Sequence, residues 1–199
     1  MTVKSTTIVP DYQDVLKQVA IGDRPQPQAV VDALLKAEKV AKQQRLSYPL
    51  ESLLGEWRLC FSTGTRKLKQ RGGIALGKGF YLPRLTPASI GFRVSDLASN
   101  PLEITNQIQV SGLNLKLTGP ARYLGKKNLL AFDFTHMQIS VFDRALYSGG
   151  FRSGKTKSAP FTEQSIAKLP FFAFFLITDD LIAARGRGGG LAIWVRLNP

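Results

Sequence analysis

The sequence predicts a mainly β fold, an antiparallel β-sandwich or β-barrel preceded by an N-terminal helical segment, and thus α+β overall. The apolar residues before position 51 recur with a helical period, whereas from Trp57 onward they alternate with a period of two. Gly-rich turns, rather than helices, separate most of the alternating stretches. We therefore expect a helical segment over residues 1–50 that packs on a β domain over residues 51–199.

The first segment contains two predicted amphipathic helices. Pro27 suits the first turn of the second helix, and the Tyr48-Pro49 pair ends it. Each helix has one apolar face that must pack on something else, formed by Val15, Leu16, Val19 and Ala20 in the first and by Val30, Val31, Leu34, Ala37 and Ala41 in the second.

The clearest strands form a predicted hairpin around Ser111-Gly112. Apolar and polar residues alternate over 102–110 and again over 113–117, on either side of that turn. About eight such strands can close on themselves around an interior wide enough for one small ligand. The segment from Arg66 to Tyr81, which is rich in glycine and basic residues, is predicted to be a mobile loop at the binding mouth.

The excess of positive charge lies entirely from Trp57 onward, in the β domain. The chain has 27 basic and 14 acidic residues, but residues 1–56 contain seven of each. A basic domain attracts polyanions, and composition does not distinguish nucleic acid from an anionic membrane. The predicted membrane or anion contacts are Arg66, Lys67, Lys69, Arg71, Lys78, Arg152, Lys155 and Lys157.

The residue inventory argues against an enzyme. Cys60 and His136 are the only residues of their types, which excludes a disulfide scaffold and a zinc site built from them. In a strand, Asp179 and Asp180 point to opposite faces and cannot share a proton or a metal ion. We expect no catalytic set, no metal and no cofactor.

Two glycine-rich motifs invite a nucleotide or RNA interpretation. Residues 149–156 match the phosphate-binding loop pattern, but the chain lacks the βαβ alternation that this loop requires. We interpret the stretch as a basic loop able to hold a phosphate or a lipid headgroup. The Arg-Gly run over 185–190 is predicted to be a wide hairpin turn.

The apolar segment 169–177 contains four phenylalanines. Nine residues are too few to span a bilayer. As a strand the segment would direct Phe172, Phe174 and Leu176 to one side, and Phe171, Phe175 and Ile177 to the other. Its outer face then needs a cover, either the N-terminal helices or a membrane surface or hydrophobic partner. The N-terminus lacks the apolar core of a signal peptide, so we expect a location on the cytoplasmic side.

Gly55-Glu56-Trp57 opens the first predicted strand. In lipocalin-type barrels a Gly-x-Trp places the indole across the closed end, where a cation can lie on its face. Arg185 and Arg196 are both available, and we predict that Arg185 closes the barrel near Trp57 and pairs with Asp180.

Two stretches carry family-specific patterns: residues 54–63, which open on a Gly-x-Trp strand, and residues 175–195, which contain Asp180-Leu181 and Arg185-Gly186 in a closing hairpin. Together they resemble the plastid lipid-associated protein family, or fibrillins, which also occur in cyanobacteria, with departures at Ile182 and Arg187. The resemblance implies a lipocalin-like barrel that binds prenylquinones, carotenoids or other lipids without turnover. It implies a peripheral location at thylakoid membranes, where photosynthesis takes place, or at lipid droplets.

From the alternation we predict that twelve residues line the interior or core and contact a hydrophobic ligand: Trp57, Leu59, Phe61, Ile104, Ile108, Leu115, Phe132, Phe134, Ile139, Val141, Ile193 and Val195. Two alternatives stay open. One is a nucleic-acid-binding barrel that uses the basic loops, although it lacks an exposed aromatic stacking strand and we expect no nucleic acid. The other is a lipocalin-type pigment lyase, although Cys60 is more like an ordinary buried or outward residue than a nucleophile.

Overall fold

The computed structural model describes residues 11–67, 74–83, 87–94, 102–150 and 160–197, without the side chains of 65–67 and 74–75. Helix α1 spans Tyr12–Ala20 and α2 spans Pro27–Gln44. As predicted, Pro27 is the first residue of α2, and Arg45 ends the helix in the left-handed conformation with φ 51°.

Eleven strands occur in the described residues. In chain order they are β1 Gly55–Lys67, β2 Ile74–Tyr81, β3 Ala88–Val94, β4 Leu102–Val110, β5 Leu113–Leu124, β6 Leu129–Phe132, β7 His136–Val141, β8 Arg144–Gly150, β9 Phe171–Ile177, β10 Leu181–Gly186 and β11 Leu191–Leu197.

Eight of these strands close into an antiparallel barrel. Their order is β4-β3-β1-β11-β10-β9-β6-β5, and β5 pairs back onto β4. Closure removes the unpaired sheet edges within this ring and hides one face of every strand. The closed barrel with its helical N-terminal segment confirms the predicted lipocalin-like fold class.

Strand directions define two ends of the barrel. The start of β1 and the end of β11 lie at one end, the base, where Glu56 pairs with Leu197. At the other end, the mouth, β4 and β5 continue past the barrel and are joined by β7 and β8 in a four-stranded extension. The extension places two hairpin turns far from the base.

The segment predicted to be a mobile loop is largely a hairpin, so that prediction was wrong. β1 continues to Lys67 and pairs with β2, and only residues 68–73 of the segment lie outside the described residues. The glycine content had indicated a loop, but Gly79 has a packing role: a Cβ there would come within 2.0 Å of the Phe61 ring. Glycine lets β2 cross that ring.

Register shifts in two strands change which side chains face inward. The shift between Leu59 and Phe61 turns both Cys60 and Phe61 toward the helices. The pairing of β9 with β10 shifts between Leu176 and Phe174, so Phe175 and Leu176 pack on the helix side while Ile177 faces the interior. The predicted sides of Leu176 and Ile177 were therefore wrong, because a bulge reverses the alternation beyond it.

The helices cover the wall formed by parts of β1, β9, β10 and β11. Their apolar faces, which include Val19, Val30 and Leu34, join one buried cluster with Phe175 and Ala183. A second cluster fills the barrel interior. The helices are thus the cover that the sequence required for the outer face of 169–177.

Candidate ligand site at the barrel mouth

Trp57 closes the base of the barrel. It is fully buried, and its Nε1 donates a hydrogen bond to the carbonyl oxygen of Leu53 at 2.8 Å. The guanidinium of Arg196 lies 4.0 Å from the centre of the indole ring. Arg196 also donates hydrogen bonds to the carbonyl oxygens of Leu54, at 3.0 Å, and of Asp179. A cation–π contact and backbone hydrogen bonds therefore seal this end.

The prediction that Arg185 closes the base with Asp180 was wrong. Arg196 shares the inward face of β11 with Trp194, whereas Arg185 shares the helix-facing side of β10 with Ala183. Arg185 instead pairs with Glu38 of α2: Nε donates to Oε1 at 2.9 Å and Nη2 to Oε2 at 2.5 Å. Asp180 is exposed.

Glu38 is buried, with 8% of its surface exposed. The hydrogen bond from Arg185 lowers the pKa of its carboxyl group, and burial opposes that effect in part. Lys42, one turn further along α2, donates to Oε1 at 3.0 Å. The bidentate Arg185–Glu38 ion pair fixes α2 to the barrel wall.

Aromatic rings occupy the middle of the barrel. Phe174 packs edge-on against Phe92 with ring centres 6.1 Å apart, and Phe172 packs edge-on against Trp194 at 5.4 Å. Trp57 and Ile104, two predicted ligand contacts, belong to this packed region and are fully buried. In the described residues they act as core, because neighbouring rings already cover them.

At the mouth the packing becomes looser. Phe132 is 6% exposed, whereas Leu59, Phe134 and Phe172 are only half-buried. The Phe132 ring stacks on Phe172 at 5.1 Å and lies 5.2 Å from Phe134. The three phenylalanines form an aromatic mouth that a hydrophobic molecule can contact, and Leu59 lies on β1 opposite Trp194, which contacts Phe172. Leu59, Phe132 and Phe134 were among the predicted ligand contacts.

The interior surface continues beyond the mouth as the apolar face of the four-stranded extension. A row of side chains crosses it at right angles to the strands: Ile108 lies opposite Leu115, Leu115 opposite Ile139, and Ile139 opposite Tyr147. Ile108 and Tyr147 are 41% and 45% exposed, and Leu115 and Ile139 are half-buried. Paired residues share a face, so the row forms one surface.

A second row flanks the first on the side nearer the turns. Val110 lies opposite Leu113, which lies opposite Val141, and Arg144 follows on β8. The other face of the same strands is polar, with Gln107 opposite Lys116 and Lys116 opposite Gln138. The predicted contacts Ile108, Leu115, Ile139 and Val141 thus line an open apolar face rather than a closed interior. We call it the apolar face.

Phe61, Ile193 and Val195 are buried but lie beneath the helices, outside the candidate site. The bulge at Cys60 turns Phe61 outward. In β11 both faces are apolar, and the inward residues are Ala192 and Trp194. Trp194, Phe172, Phe174 and Phe92 were not among the predicted contacts. The only sequence signal that Trp194 faces inward was its position two residues before Arg196, because residues two apart in a strand share a face and Arg196 was a candidate for closing the base.

Few of the predicted anion contacts can be located. Lys78 is exposed on β2, and Arg66 and Lys67 lie in β1, although their side chains are not described. Lys69, Arg71, Arg152, Lys155 and Lys157 lie outside the described residues. Gly149 and Gly150 end β8, which pairs antiparallel with β7, so the phosphate-binding loop pattern follows a strand of the wrong kind.

Cys60 faces the helices, not the mouth. Its Sγ donates a hydrogen bond to the carbonyl oxygen of Ile193 at 3.4 Å. Burial raises the pKa of the thiol to about 11. Neither its position nor its protonation suits a nucleophile for a ligand at the mouth.

We expect the Cys60 thiol to react with a soluble disulfide reagent only slowly in the folded protein at pH 8, because little thiolate forms and the side chain is buried. Denaturant should expose the thiol and restore the rate of a free cysteine. Absorbance of the released thiolate measures both rates, and rapid labelling of folded protein would contradict this assignment.

Comparison with protein-family models, with curated proteins and with solved structures gave no match for this chain. In the described ranges, no group of three or more His, Cys, Asp and Glu side chains is placed to hold a metal ion. None of the described helices combines the length and the apolar character needed to cross a bilayer.

Proposed function

We propose that this chain is a non-catalytic carrier or structural binding protein for hydrophobic small molecules such as a prenylquinone, a carotenoid or another lipid. The observation that carries the proposal is the continuous apolar surface that runs from the aromatic mouth onto the apolar face. Such a surface costs free energy when it faces water, and a hydrophobic ligand relieves that cost.

The shape of this surface favours an elongated ligand. Packed aromatic side chains fill the barrel below the mouth, so the ring of a quinone or carotenoid would lie against Phe134 and Phe172. Its tail would lie along the Ile108 to Tyr147 row. A prenyl tail that loses about 300 Å² of exposed apolar area gains several kcal/mol without any charged contact.

The charge distribution and the family resemblance support a peripheral location at a thylakoid membrane or on lipid droplets. The net charge of +13 arises entirely from residue 57 onward, in the β domain, and such a charge attracts anionic lipid headgroups. The stretches 54–63 and 175–195 resemble the plastid lipid-associated proteins, whose members bind such molecules without turnover.

The two tryptophans provide a direct test, because they lie at opposite depths. Trp194 contacts Phe172 of the mouth, whereas Trp57 lies behind the packed rings at the base. In the Trp57→Phe variant, titration with a short-chain prenylquinone should quench the fluorescence of Trp194 strongly and saturably. In the matched Trp194→Phe variant, the same titration should quench Trp57 much less.

Equal quenching of both variants would contradict a site at the mouth. Quenching that rises linearly with quinone, without saturation, would contradict binding altogether. Catalytic turnover of the quinone in the same samples, followed by its absorbance spectrum, would contradict a carrier.

A further inference from the structure

Two tight turns lie side by side at the far end of the extension. Ser111 and Gly112 connect β4 to β5, and Phe142 and Asp143 connect β7 to β8. All four residues have positive φ, between 45° and 84°. The backbone N–H of Phe142 donates a hydrogen bond to the carbonyl oxygen of Gly112 at 2.9 Å, which fixes one turn against the other. We call residues 110–113 and 141–146 the double-turn tip.

The backbone conformation at Phe142 is unfavourable for a phenylalanine. Two-residue hairpin turns with positive φ favour asparagine or glycine, and a bulky side chain in this conformation is strained. Phe142 also exposes 78% of its surface. The Phe142 ring lies against Gly112 of the neighbouring turn, where an added Cβ would come within 2.6 Å of it, but it belongs to neither buried cluster. A strained and exposed aromatic residue outside the core is better explained by a role outside folding.

Other exposed apolar side chains belong to the same tip. Leu146 is 69% exposed, and Val110 and Leu113 are 42% and 46% exposed. Basic groups accompany them: Arg144 follows the turn directly, and Lys116 lies on the polar face of β5. The one acidic group of the tip is Asp143, in the turn itself. Exposed apolar groups next to basic ones fit the interface of an anionic bilayer.

We infer that the double-turn tip docks the protein on an anionic lipid bilayer by inserting Phe142 and Leu146 at the boundary between headgroups and acyl chains. The positive charge of the β domain complements the negative surface of such a bilayer. The inference deepens the proposed function and rests on it, because it makes the bilayer the source of the hydrophobic ligand that the mouth binds.

Docking in this orientation gives the ligand a path. The row of Val110, Leu113 and Val141 begins at the tip, the Ile108 to Tyr147 row follows, and the aromatic mouth lies beyond. A lipid that leaves the bilayer at the tip would stay in contact with apolar side chains until it reaches Phe134. The polar face of the extension, with Lys116 and Gln138, offers no such contact.

The test uses the full chain and its Phe142→Asn variant. Asparagine accepts positive φ, so the variant should unfold at the same temperature or higher, while its partitioning onto phosphatidylglycerol-containing vesicles falls about tenfold. Ile21→Asn is the matched control. Ile21 is 79% exposed but adjoins Arg196 and Asp180 near the base, and its loss should leave vesicle binding unchanged.

Co-sedimentation with vesicles measures the partitioning. Unchanged vesicle binding by both Phe142→Asn and Phe142→Asn/Leu146→Ser would overturn the inference. An equal loss of vesicle binding in Ile21→Asn would also overturn it, as would equal binding of the wild type to vesicles of pure phosphatidylcholine. A change in the monomer–dimer equilibrium with unchanged vesicle binding would also overturn it, by assigning the tip to self-association.

Quinone binding without vesicles separates this inference from the proposed function. The Phe142→Asn variant should retain the quenching of Trp194, because Phe142 lies beyond the apolar rows. Retained quenching with lost vesicle binding supports the inference. Lost quenching with retained vesicle binding would count against the tip as a docking element and assign Phe142 to the ligand site instead.

Discussion

Replacing Leu115 with aspartate should weaken binding of a short-chain prenylquinone at least about tenfold. Leu115 is the centre of the row that crosses the extension, with Ile108 on one side and Ile139 on the other. A carboxylate there would lose its hydration beneath a bound hydrophobic tail, which is costly for an ionised group. The titration of Trp194 fluorescence in the Trp57→Phe background measures the affinity.

Gln138→Glu is the matched control for Leu115→Asp. It adds the same single negative charge to the same extension, but on the polar face, where Gln138 is exposed opposite Lys116. Its quinone affinity should match that of the parent protein. Leu115 is only half-buried, so both variants should fold, which circular dichroism will show. Full affinity in a folded Leu115→Asp protein would remove the apolar face from the site.

Replacing Arg185 with alanine should lower the free energy of unfolding at neutral pH by about 3 kcal/mol. The change leaves the carboxylate of Glu38 buried between α2 and the barrel wall without its bidentate partner. Lys42→Ala is the control: the Lys42 side chain is 74% exposed, and its loss should cost less than about 1 kcal/mol. Urea unfolding monitored by circular dichroism measures both changes.

The effect of Arg185→Ala should depend on pH in a defined direction. The pKa of Glu38 is lowered in the folded protein, chiefly by its hydrogen bond with Arg185. A lowered pKa stabilises the fold above the ordinary carboxyl pKa, and this stabilisation is lost as pH falls through the folded value. The difference between wild type and variant should therefore shrink below about pH 4. A difference that stayed constant in acid would show that the carboxylate charge is not its cause.

Local signals were sufficient to predict the class of fold. The helical period up to Ala41, the proline at the start of α2 and the Ser111-Gly112 turn all depend on residues within a few positions of one another. The polar and apolar sides of β4, β5 and β7 were also predicted, because polar and apolar residues alternate clearly along these strands.

The arrangement of the site was not predictable in the same way. The bulge that turns Phe61 outward shows only in the pairing of β1 with β11, more than a hundred residues apart in the chain. For β11, apolar residues on both faces left the inward side undetermined, and with it Trp194. Because Trp194 and Arg196 share the inward side of β11, it is Arg196, and not Arg185, that contacts Trp57 at the base.

The sequence by itself determined two faces for each strand and one apolar face for each helix, because periodicity is set by backbone geometry. Only the tertiary structure decided which face of each strand points inward, where the barrel ends and where its apolar lining becomes exposed to solvent. Those outcomes depend on strand register and closure, which are set by contacts between residues distant in the chain.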